Sequence, residues 1–217
     1  DPPPSTGNAP YVTAWAMALG NATTPIEADF IAADAAGNVL VSGGIGGALD
    51  FGGGVILAGD GRFLARLDAG GHTQWAKLLD DPLAHLVVDR QGALWTWGST
   101  DAGPYVKKHE GGGAALFSLP LAAKVVSPTG DGGAVIAVEF YEAFSYGGQA
   151  FKAVHGDVAL LRVDAAGALV WASTLAASLP PLAPPPAEEE WIMNLMDVSA
   201  TPEGGAALAA YVVKSDP

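Results

Sequence analysis

Short apolar runs alternate with glycine-containing turns along nearly the whole chain. The turn and run in DAAGNVLVSG, from Asp34 to Gly43, recur as DRQGALWTWG from Asp89 and DAAGALVWAS from Asp164. The Asp side chain accepts hydrogen bonds from backbone N–H groups just ahead of it, and the glycine takes the positive φ that closes a hairpin. Each copy therefore predicts a tight antiparallel hairpin.

One group of these hairpins shares an aromatic and a basic residue at fixed distances from the glycine. The two best copies are RFLARLDAGGHTQWAKLL, residues 62–79, and ALLRVDAAGALVWASTL, residues 159–175. A weaker copy is YVKKHEGGGAALFSL, and YVTAWAMAL near the start is half a copy. The aromatic positions are Trp15, Trp75, Phe117 and Trp171, and the basic positions are Arg66, Lys108 and Arg162. The repeated tryptophans predict packing between neighbouring units.

A second type of corner alternates with the first, around Gly37, Gly92, Gly132 and Gly204. Joining the corners in chain order gives four strands per unit, named A, B, C and D here, with tight A–B and C–D corners. A four-stranded unit repeated about every 40 to 60 residues is typical of a β-propeller blade. Middle strands such as VALLRV are almost wholly apolar, as expected where both faces of a sheet are buried. A β-sandwich and a right-handed β-helix are the alternative architectures.

The units together predict an all-β propeller of about four four-stranded blades, one of them incomplete. The predicted C strands are 63–67, 105–109 and 159–163, the fourth A and B strands are about 195–200 and 206–213, and an unaccompanied D strand is 11–18. Pairing strands from the two termini in one blade removes exposed edges, so we favour a closed four-bladed ring over part of a larger propeller. The predicted divisions are a Pro/Gly/Ser-rich leader or linker at 1–10 and a single domain at 11–217 with a Pro-rich insertion at 180–190.

The segment AGNVLVSGGIGGALDFGGGVILAGDGRFLARLDAGGHTQWAKLL resembles the SBBP-type β-propeller repeat of bacterial surface and secreted proteins. The motifs that carry the resemblance are Phe51-Gly52-Gly53, Asp60 and Trp75-Ala76-Lys77, repeated as Tyr146-Gly147-Gly148, Asp157 and Trp171-Ala172. The second unit departs from the pattern, because it lacks the Phe-Gly-Gly hairpin between Gly98 and Tyr105. The resemblance covers most of residues 11–217 and implies the propeller scaffold. It implies little about activity, because the family is defined by its scaffold.

Composition narrows the classes of partner. The formal net charge of −13, from 23 acidic and 10 basic residues, disfavours binding to nucleic acid or to anionic lipid. Half of the 217 residues are hydrophobic, yet no window reaches the ~18 uninterrupted apolar residues of a membrane helix. The absence of cysteine excludes disulfides, thiolate catalysis and zinc sites built on sulfur. The start, DPPPSTGNAP, is typical of a spacer after an export signal, so we expect a secreted, periplasmic or cell-surface location.

The carboxylate, histidine, serine and lysine residues form no sequence motif that is typical of a catalytic, metal-binding or phosphate-binding site. Each corner offers one carboxylate flanked by Ala and Gly, so turn capping is favoured over calcium binding, and neither a metal nor a cofactor is expected. The histidines have no metal-ligand spacing, no Gly-x-Ser-x-Gly elbow occurs, and the glycine loops lack the lysine of a phosphate site. His109 is predicted to be a half-exposed strand residue, and Lys107 and Lys108 to lie on a solvated edge. Trp95 and Trp97, two residues apart on one strand, are predicted to share a face, and packing in the core is favoured for them over a sugar-binding platform.

The B–C and D–A connections share one face of the predicted ring and contain the insertions, at 44–60, 98–104, 141–157 and 176–191. Divergent loops on a rigid scaffold are where binding usually occurs. We therefore expect a non-catalytic module that binds a protein, peptide or glycan through this face. The candidate contacts in the insertions are Trp191, Tyr146, Tyr141 and Glu190.

Two alternative functions stay open. One is a hydrolase- or lyase-type enzyme with an acidic site near the ring axis. Its candidate residues are Asp29, His85 and Asp197, because each precedes an A–B corner by a few residues on an axis-lining strand. In a binding module the same three residues are candidate ligand contacts. The other alternative is a purely structural module of a larger surface or filament protein.

Overall fold

The structure is a computed structural model that describes residues 15–19, 25–79, 85–152, 157–175, 191–201 and 205–214. Within these ranges it contains eighteen β-strands and no helix. The strands form three four-stranded antiparallel sheets, two short hairpins and one longer hairpin near the C-terminus. The all-β prediction is confirmed.

In each four-stranded sheet the four strands lie side by side in chain order, as A, B, C and D. Sheet I contains β1 (Ile26–Ala33) and β2 (Val39–Gly46), then, after the short hairpin of β3 (Leu49–Asp50) and β4 (Ile56–Leu57), β5 (Asp60–Leu67) and β6 (Thr73–Leu79). Sheet II contains β7 (His85–Val88), β8 (Leu94–Thr100), β9 (Gly103–His109) and β10 (Ala115–Leu119).

Sheet III repeats the plan of sheet I. It contains β11 (Ala123–Pro128) and β12 (Ala134–Phe140), then, after the short hairpin of β13 (Phe144–Tyr146) and β14 (Gln149–Phe151), β15 (Asp157–Val163) and β16 (Leu169–Leu175). The terminal hairpin, β17 (Trp191–Ala200) and β18 (Ala206–Lys214), corresponds to the A and B strands of a fourth unit. The three predicted C strands lie within β5, β9 and β15, and the fourth A and B strands within β17 and β18, as expected.

The tight corners have the geometry that their sequences predict. At the first A–B corner, Oδ1 of Asp34 accepts hydrogen bonds from the backbone N–H groups of Ala36 and Asn38, both at 2.9 Å. Gly37 follows with φ 80°, a left-handed conformation that a side chain disfavours. The other corner glycines with φ between 82° and 86° are Gly71, Gly92, Gly113, Gly132 and Gly167.

The sheets stack face to face through their middle strands. Buried pairs that represent the three interfaces are Leu64 with Leu94, Trp95 with Ile136, and Leu160 with Val198. Trp95 and Trp97 lie in the same core between sheets II and III, which confirms that they share a buried face. Each middle strand is therefore covered on both faces, which explains its almost wholly apolar sequence.

The outer strands of the sheets carry β-bulges at repeated positions. In the A strands β1, β11 and β17 the extra residues are Asp29, Lys124 and Met196, whereas β7 pairs with β8 without a bulge. In the D strands the extra residues are Gln74, Leu116 and Val170. A bulge twists an edge strand and interrupts its row of backbone donors and acceptors, so it discourages pairing with another chain. The bulges are part of the repeat, although the sequence motifs do not reveal them.

The B–C connections differ from the predicted insertions. The prediction of an insertion at 98–104 is wrong, because β8 and β9 stay paired up to Thr100 and Gly103 and a tight turn joins them. The connections in sheets I and III are long, but each short hairpin folds back along its own sheet. Thr73 Oγ1, where β6 begins, donates to the Phe51 carbonyl at 2.5 Å, and the Tyr146 hydroxyl donates to the Gly167 carbonyl. β6 begins directly after the C–D corner of sheet I, and Gly167 lies in the C–D corner of sheet III. Each short hairpin is therefore hydrogen-bonded to the C–D corner of its own sheet, and it extends the core rather than projecting as a free loop.

The predicted D strand at 11–18 is only partly covered by the structure, since residues 11–14 lie outside the described ranges. Residues 15–19 are described and are not in a strand. Trp15 nevertheless occupies the expected position, because its indole Nε1 donates to the Ala69 carbonyl at 3.1 Å and its ring lies over Gly71. The segment therefore packs on sheet I without forming the predicted strand in its described part.

Candidate functional site

The basic residues that repeat at the aligned position of the C strands, Arg66, Lys108 and Arg162, are buried. The Arg66 guanidinium bonds three groups: the Asp34 carboxylate of its own sheet at 2.5 Å, and the Gly92 and Gly111 carbonyls of sheet II at 3.0 and 3.2 Å. Arg66 is thus hydrogen-bonded to corners of two successive sheets. Sequence reasoning aligned this residue with its repeats but assigned it no role.

Lys108 has the same role between sheets II and III, and its predicted exposure is wrong. Its side chain is only 7% exposed, and its ammonium donates to the Gly132 carbonyl at 2.5 Å. The ammonium also lies 5.4 Å from the centre of the Trp95 ring and 3.9 Å from the Asp89 carboxylate. These partners compensate a charge that is too costly to bury alone.

His109 is also buried, at 7% exposure, and not half-exposed as predicted. Its Nε2 lies 3.0 Å from Oγ1 of Thr96 on the neighbouring strand. The corresponding residues in sheets I and III are the buried Leu67 and Val163, so the position belongs to the core throughout the repeat. His109 is therefore a core residue of sheet II.

The aromatic residues of the D strands cover the glycine corners of the following sheet. Trp75 Nε1 donates to the Gly111 carbonyl at 3.2 Å, and the ring lies close enough to Gly113 that a Cβ there would be 3.2 Å from it. Phe117 lies in the same way over Gly167. The repeated Asp, Gly, basic and aromatic residues are thus all engaged in the scaffold, and a functional site must be built from other side chains.

The A strands supply the exposed polar side chains. They lie side by side in the order β1, β7, β11 and β17. We define the A-strand row as the bulge residue and the residue after it in β1, β11 and β17, together with the first residue of β7, which has no bulge. Its members are Asp29, Phe30, His85, Lys124, Val125, Met196 and Asp197. These residues combine polar and apolar side chains on otherwise apolar sheets.

His85 lies at the centre of the described part of this row. Its ring stacks on Trp97 with centroids 5.0 Å apart, and it lies 5.7 Å from the Phe30 ring of sheet I. Burial, and then the positive charge of Lys124, lower the pKa of His85 below its usual value. The imidazole is therefore neutral at pH 7, with ring nitrogens able to donate and accept hydrogen bonds.

Charged groups lie on both sides of His85, and each has a partner. Asp29 forms an ion pair with Arg62 at 2.5 Å, and Lys124 forms one with Glu139 at 3.5 Å. Oδ1 of Asp197 accepts a hydrogen bond from the backbone N–H of Val198 at 2.8 Å. Paired charges of both signs can form hydrogen bonds and ion pairs with the polar groups of a ligand.

The residues predicted as ligand contacts in the insertions have different outcomes. Tyr141, just after β12, is 63% exposed and remains available to a ligand. Tyr146 is half-buried, its hydroxyl bonds Gly167, and burial together with the Asp164 charge raises its pKa, so it belongs to the scaffold. Trp191 is the first residue of β17 rather than part of a loop, and Glu190 lies outside the described residues.

The structure assigns Asp29, His85 and Asp197 to three A strands, as the sequence predicts, and it adds neighbours that sequence reasoning missed. These are Phe30, Trp97 and Lys124. Alignment on Gly37 and Gly92 places Phe30 and His85 at one position of the repeat. For Trp97 the sequence favours the core over a binding surface, and it gives no sign of the stack on His85. In the described part of the chain, no three His, Asp or Glu residues are grouped closely enough to hold a metal ion. None of the described elements is a helix able to span a membrane.

Comparison with known proteins gives no relative: no protein-family model matches the chain, and no curated protein is significantly similar to it.

Proposed function

We propose that the protein is a β-propeller that acts outside the cytoplasm as a non-catalytic binding module, with the A-strand row as its contact surface. The resemblance to SBBP-type repeats and the uniform stacking of three A-B-C-D sheets support the propeller. The same resemblance, to repeats of bacterial surface and secreted proteins, supports the location. Whether the ring closes with four blades or belongs to a larger one does not change this proposal.

The observation that carries the proposal is the environment of His85. The exposed imidazole of His85 stacks on the buried Trp97, has the tilted ring of Phe30 beside it, and is flanked by the Asp29–Arg62 and Lys124–Glu139 pairs, so it offers a supported ring with charged groups around it. Such a surface suits an extended peptide or a glycan, whose apolar faces stack on rings while their polar groups bond at the rim. Tyr141 extends the exposed aromatic surface at the insertion end of sheet III.

The test is a screen of the purified 217-residue protein on peptide and glycan arrays, followed by titration of the best ligand against variants. His85→Ala and Asp197→Ala should each weaken binding at least about tenfold, which corresponds to about 1.4 kcal/mol. The matched control is His72→Ala, because His72 is an exposed histidine at a C–D corner and should be without effect. Melting temperatures of all variants verify that they are folded.

Three outcomes would contradict the proposal. Silence on both kinds of array would remove the ligand classes on which it depends. Loss of binding with Tyr141→Ala but not with His85→Ala would move the contact surface to the insertions. Turnover of a bound ligand, detected by mass spectrometry and abolished by His85→Ala, would favour the hydrolase alternative.

A further inference from the structure

The A–B corner of sheet II contains a buried carboxylate whose two oxygens have different surroundings. Oδ1 of Asp89, the residue after β7, accepts hydrogen bonds from the backbone N–H groups of Gln91 and Ala93 at 2.9 and 2.8 Å. Oδ2 has no hydrogen-bond partner among the described residues, and the side chain is fully buried. A carboxylate oxygen in that position costs free energy unless a donor reaches it.

The cation of this corner does not reach Oδ2. The Lys108 ammonium lies 3.9 Å from it, which is too far for a hydrogen bond, and donates instead to the Gly132 carbonyl of sheet III at 2.5 Å. The ammonium attracts the carboxylate by charge, but a gap of about one hydrogen-bond length separates their direct contact. The corner therefore has an acceptor and a nearby donor that do not meet.

The same corner contains a second unpaired group, on Trp95. In the register of sheet II, Trp95 lies opposite Val87 on one side and Lys108 on the other, and the Lys108 ammonium is 5.4 Å from the centre of its ring. The indole is fully buried, and its Nε1 has no hydrogen-bond partner among the described residues. Because an indole N–H can only donate, it needs an acceptor, whereas Oδ2 of Asp89 needs a donor.

Sheets I and III have a direct contact where sheet II has this gap. Arg66 bonds the Asp34 carboxylate of its own A–B corner at 2.5 Å, and Arg162 bonds the Asp131 carboxylate of its corner at 2.6 Å. A guanidinium spreads five N–H donors over a planar fork, whereas the donors of an ammonium all lie at one centre. Lysine can therefore satisfy the glycine carbonyl of the next sheet, but it does not reach its own corner as well.

We propose that Asp89, Trp95 and Lys108 bind one buried water molecule, which takes the place of the second arm of an arginine. The water accepts one hydrogen bond from the Trp95 indole and one from the Lys108 ammonium, and it donates one to Oδ2 of Asp89. Three bonds to otherwise unpaired polar groups are typical of a buried water. The carboxylate disfavours an anion in this site and the ammonium disfavours a metal ion, so a neutral molecule fits both charges.

The bound water gives sheet II the link between corner and C strand that the other two sheets make directly. A bridging water is nearly as favourable in enthalpy as a direct hydrogen bond, so a lysine can occupy a position that otherwise requires arginine. The site lies within the scaffold and shares no residue with the A-strand row. The two proposals can therefore fail independently.

The first test is a high-resolution crystal structure of the wild-type protein. We expect electron density for a water within hydrogen-bond distance of Oδ2 of Asp89, Nε1 of Trp95 and Nζ of Lys108. The Trp97 indole is the internal control, because it is buried in the same core but donates to the Lys124 carbonyl at 3.3 Å, and it should have no water. A Lys108 ammonium bonded directly to Asp89, without a water at Trp95, would overturn the proposal.

The second test counts buried waters in solution by relaxation dispersion of water oxygen-17, which exchange of labile protons does not disturb. Lys108→Arg should lower the count by one, because the guanidinium reaches Asp89 and displaces the water. The matched control is Lys107→Arg, at the preceding residue of β9 on the opposite face of the sheet, and it should leave the count unchanged. Melting temperatures verify that both variants are folded. Equal counts for the wild type and Lys108→Arg would also overturn the proposal.

Discussion

Sheets I and III differ from sheet II in how they fill the same space. In sheets I and III a short hairpin folds back from the B–C connection, and Phe51 or Phe151 is buried against the sheet. Sheet II replaces the hairpin with a tight turn and has the hydrogen-bonded Thr96 and His109 where its neighbours have aliphatic pairs. The repeat therefore fixes how one sheet joins the next, while the filling of each sheet is free to vary.

The largest difference between the sheets is expected at the hairpins. Phe51 is buried with its ring 5.1 Å from Phe63, and sheet II has no equivalent. Phe51→Ala should lower the free energy of unfolding by about 4 kcal/mol, because it leaves a cavity and detaches the hairpin from sheet I. Urea denaturation measures the change. Tyr141→Ala, at an exposed aromatic residue, is the control and should change it by less than about 0.5 kcal/mol. Equal values for both variants would show that the hairpins do not add to the core.

Substitutions of the C-strand cations test the contacts by which a buried cation joins successive sheets. Arg66→Met should cost about 3 kcal/mol, because it leaves the buried Asp34 carboxylate and two carbonyls without their partner. Lys108→Met should cost less, since the Asp89 carboxylate is 3.9 Å away and the aliphatic stem is replaced. Arg62→Met removes a partly exposed ion pair and should cost less than about 1 kcal/mol. Thermal unfolding of the three variants should give that order, and a reversed order for Arg66 and Arg62 would contradict the role assigned to the cations.

The polar pair of sheet II is expected to have a smaller effect. Thr96→Val and His109→Leu should each cost about 1–2 kcal/mol, because each leaves one buried polar group without its bond. The double variant should be within about 0.5 kcal/mol of the wild type, since it restores the aliphatic pair that sheets I and III have. A double-mutant cycle by urea denaturation measures the coupling. Additive losses would mean that the two side chains do not depend on each other.

The smallest expected effect is the pH dependence of the unfolding free energy that Asp34 contributes. Burial alone would raise the pKa of Asp34, but hydrogen bonds from Asn38 and Ala36 and the Arg66 charge outweigh it and hold the pKa below the usual value. A lowered folded-state pKa gives stability that is present above the unfolded value and is lost as the pH falls through the folded value. The difference in unfolding free energy between wild type and Asp34→Asn should therefore shrink as the pH falls from about 5 to about 2. A difference that stays constant over this range would show that folding does not lower the pKa of Asp34.

The corners and strands could be predicted from the sequence because their signals are local. Asp34 and Gly37 fix one turn through contacts within a few residues, and the same is true of Asp164 and Gly167. The position of Trp75 relative to Gly71 also repeats at a fixed spacing, which gave the correct pairing of strands. These features need no knowledge of distant neighbours.

The burial of Lys108 and His109 could not be predicted in the same way. A lysine beside another lysine is typical of a solvated strand, and only the Gly132 carbonyl and the Trp95 ring of the folded structure make burial favourable. The bulge at Asp29 and the stack of His85 on Trp97 likewise depend on strand register. The sequence thus predicted the strands and the titratable residues of the candidate site, but it did not predict the rings that surround His85.

Aromatic residues of successive units, beginning with Trp15, pack against the glycine corners of the following sheet. The most direct measurement of this packing is the unfolding free energy of Trp15→Ala beside that of Trp75→Ala. We predict that both lose about 3 kcal/mol, because each removes an indole that covers a glycine corner and bonds a carbonyl there. A Trp15→Ala protein as stable as the wild type, with Trp75→Ala clearly destabilised, would show that the N-terminal segment is not part of the repeat.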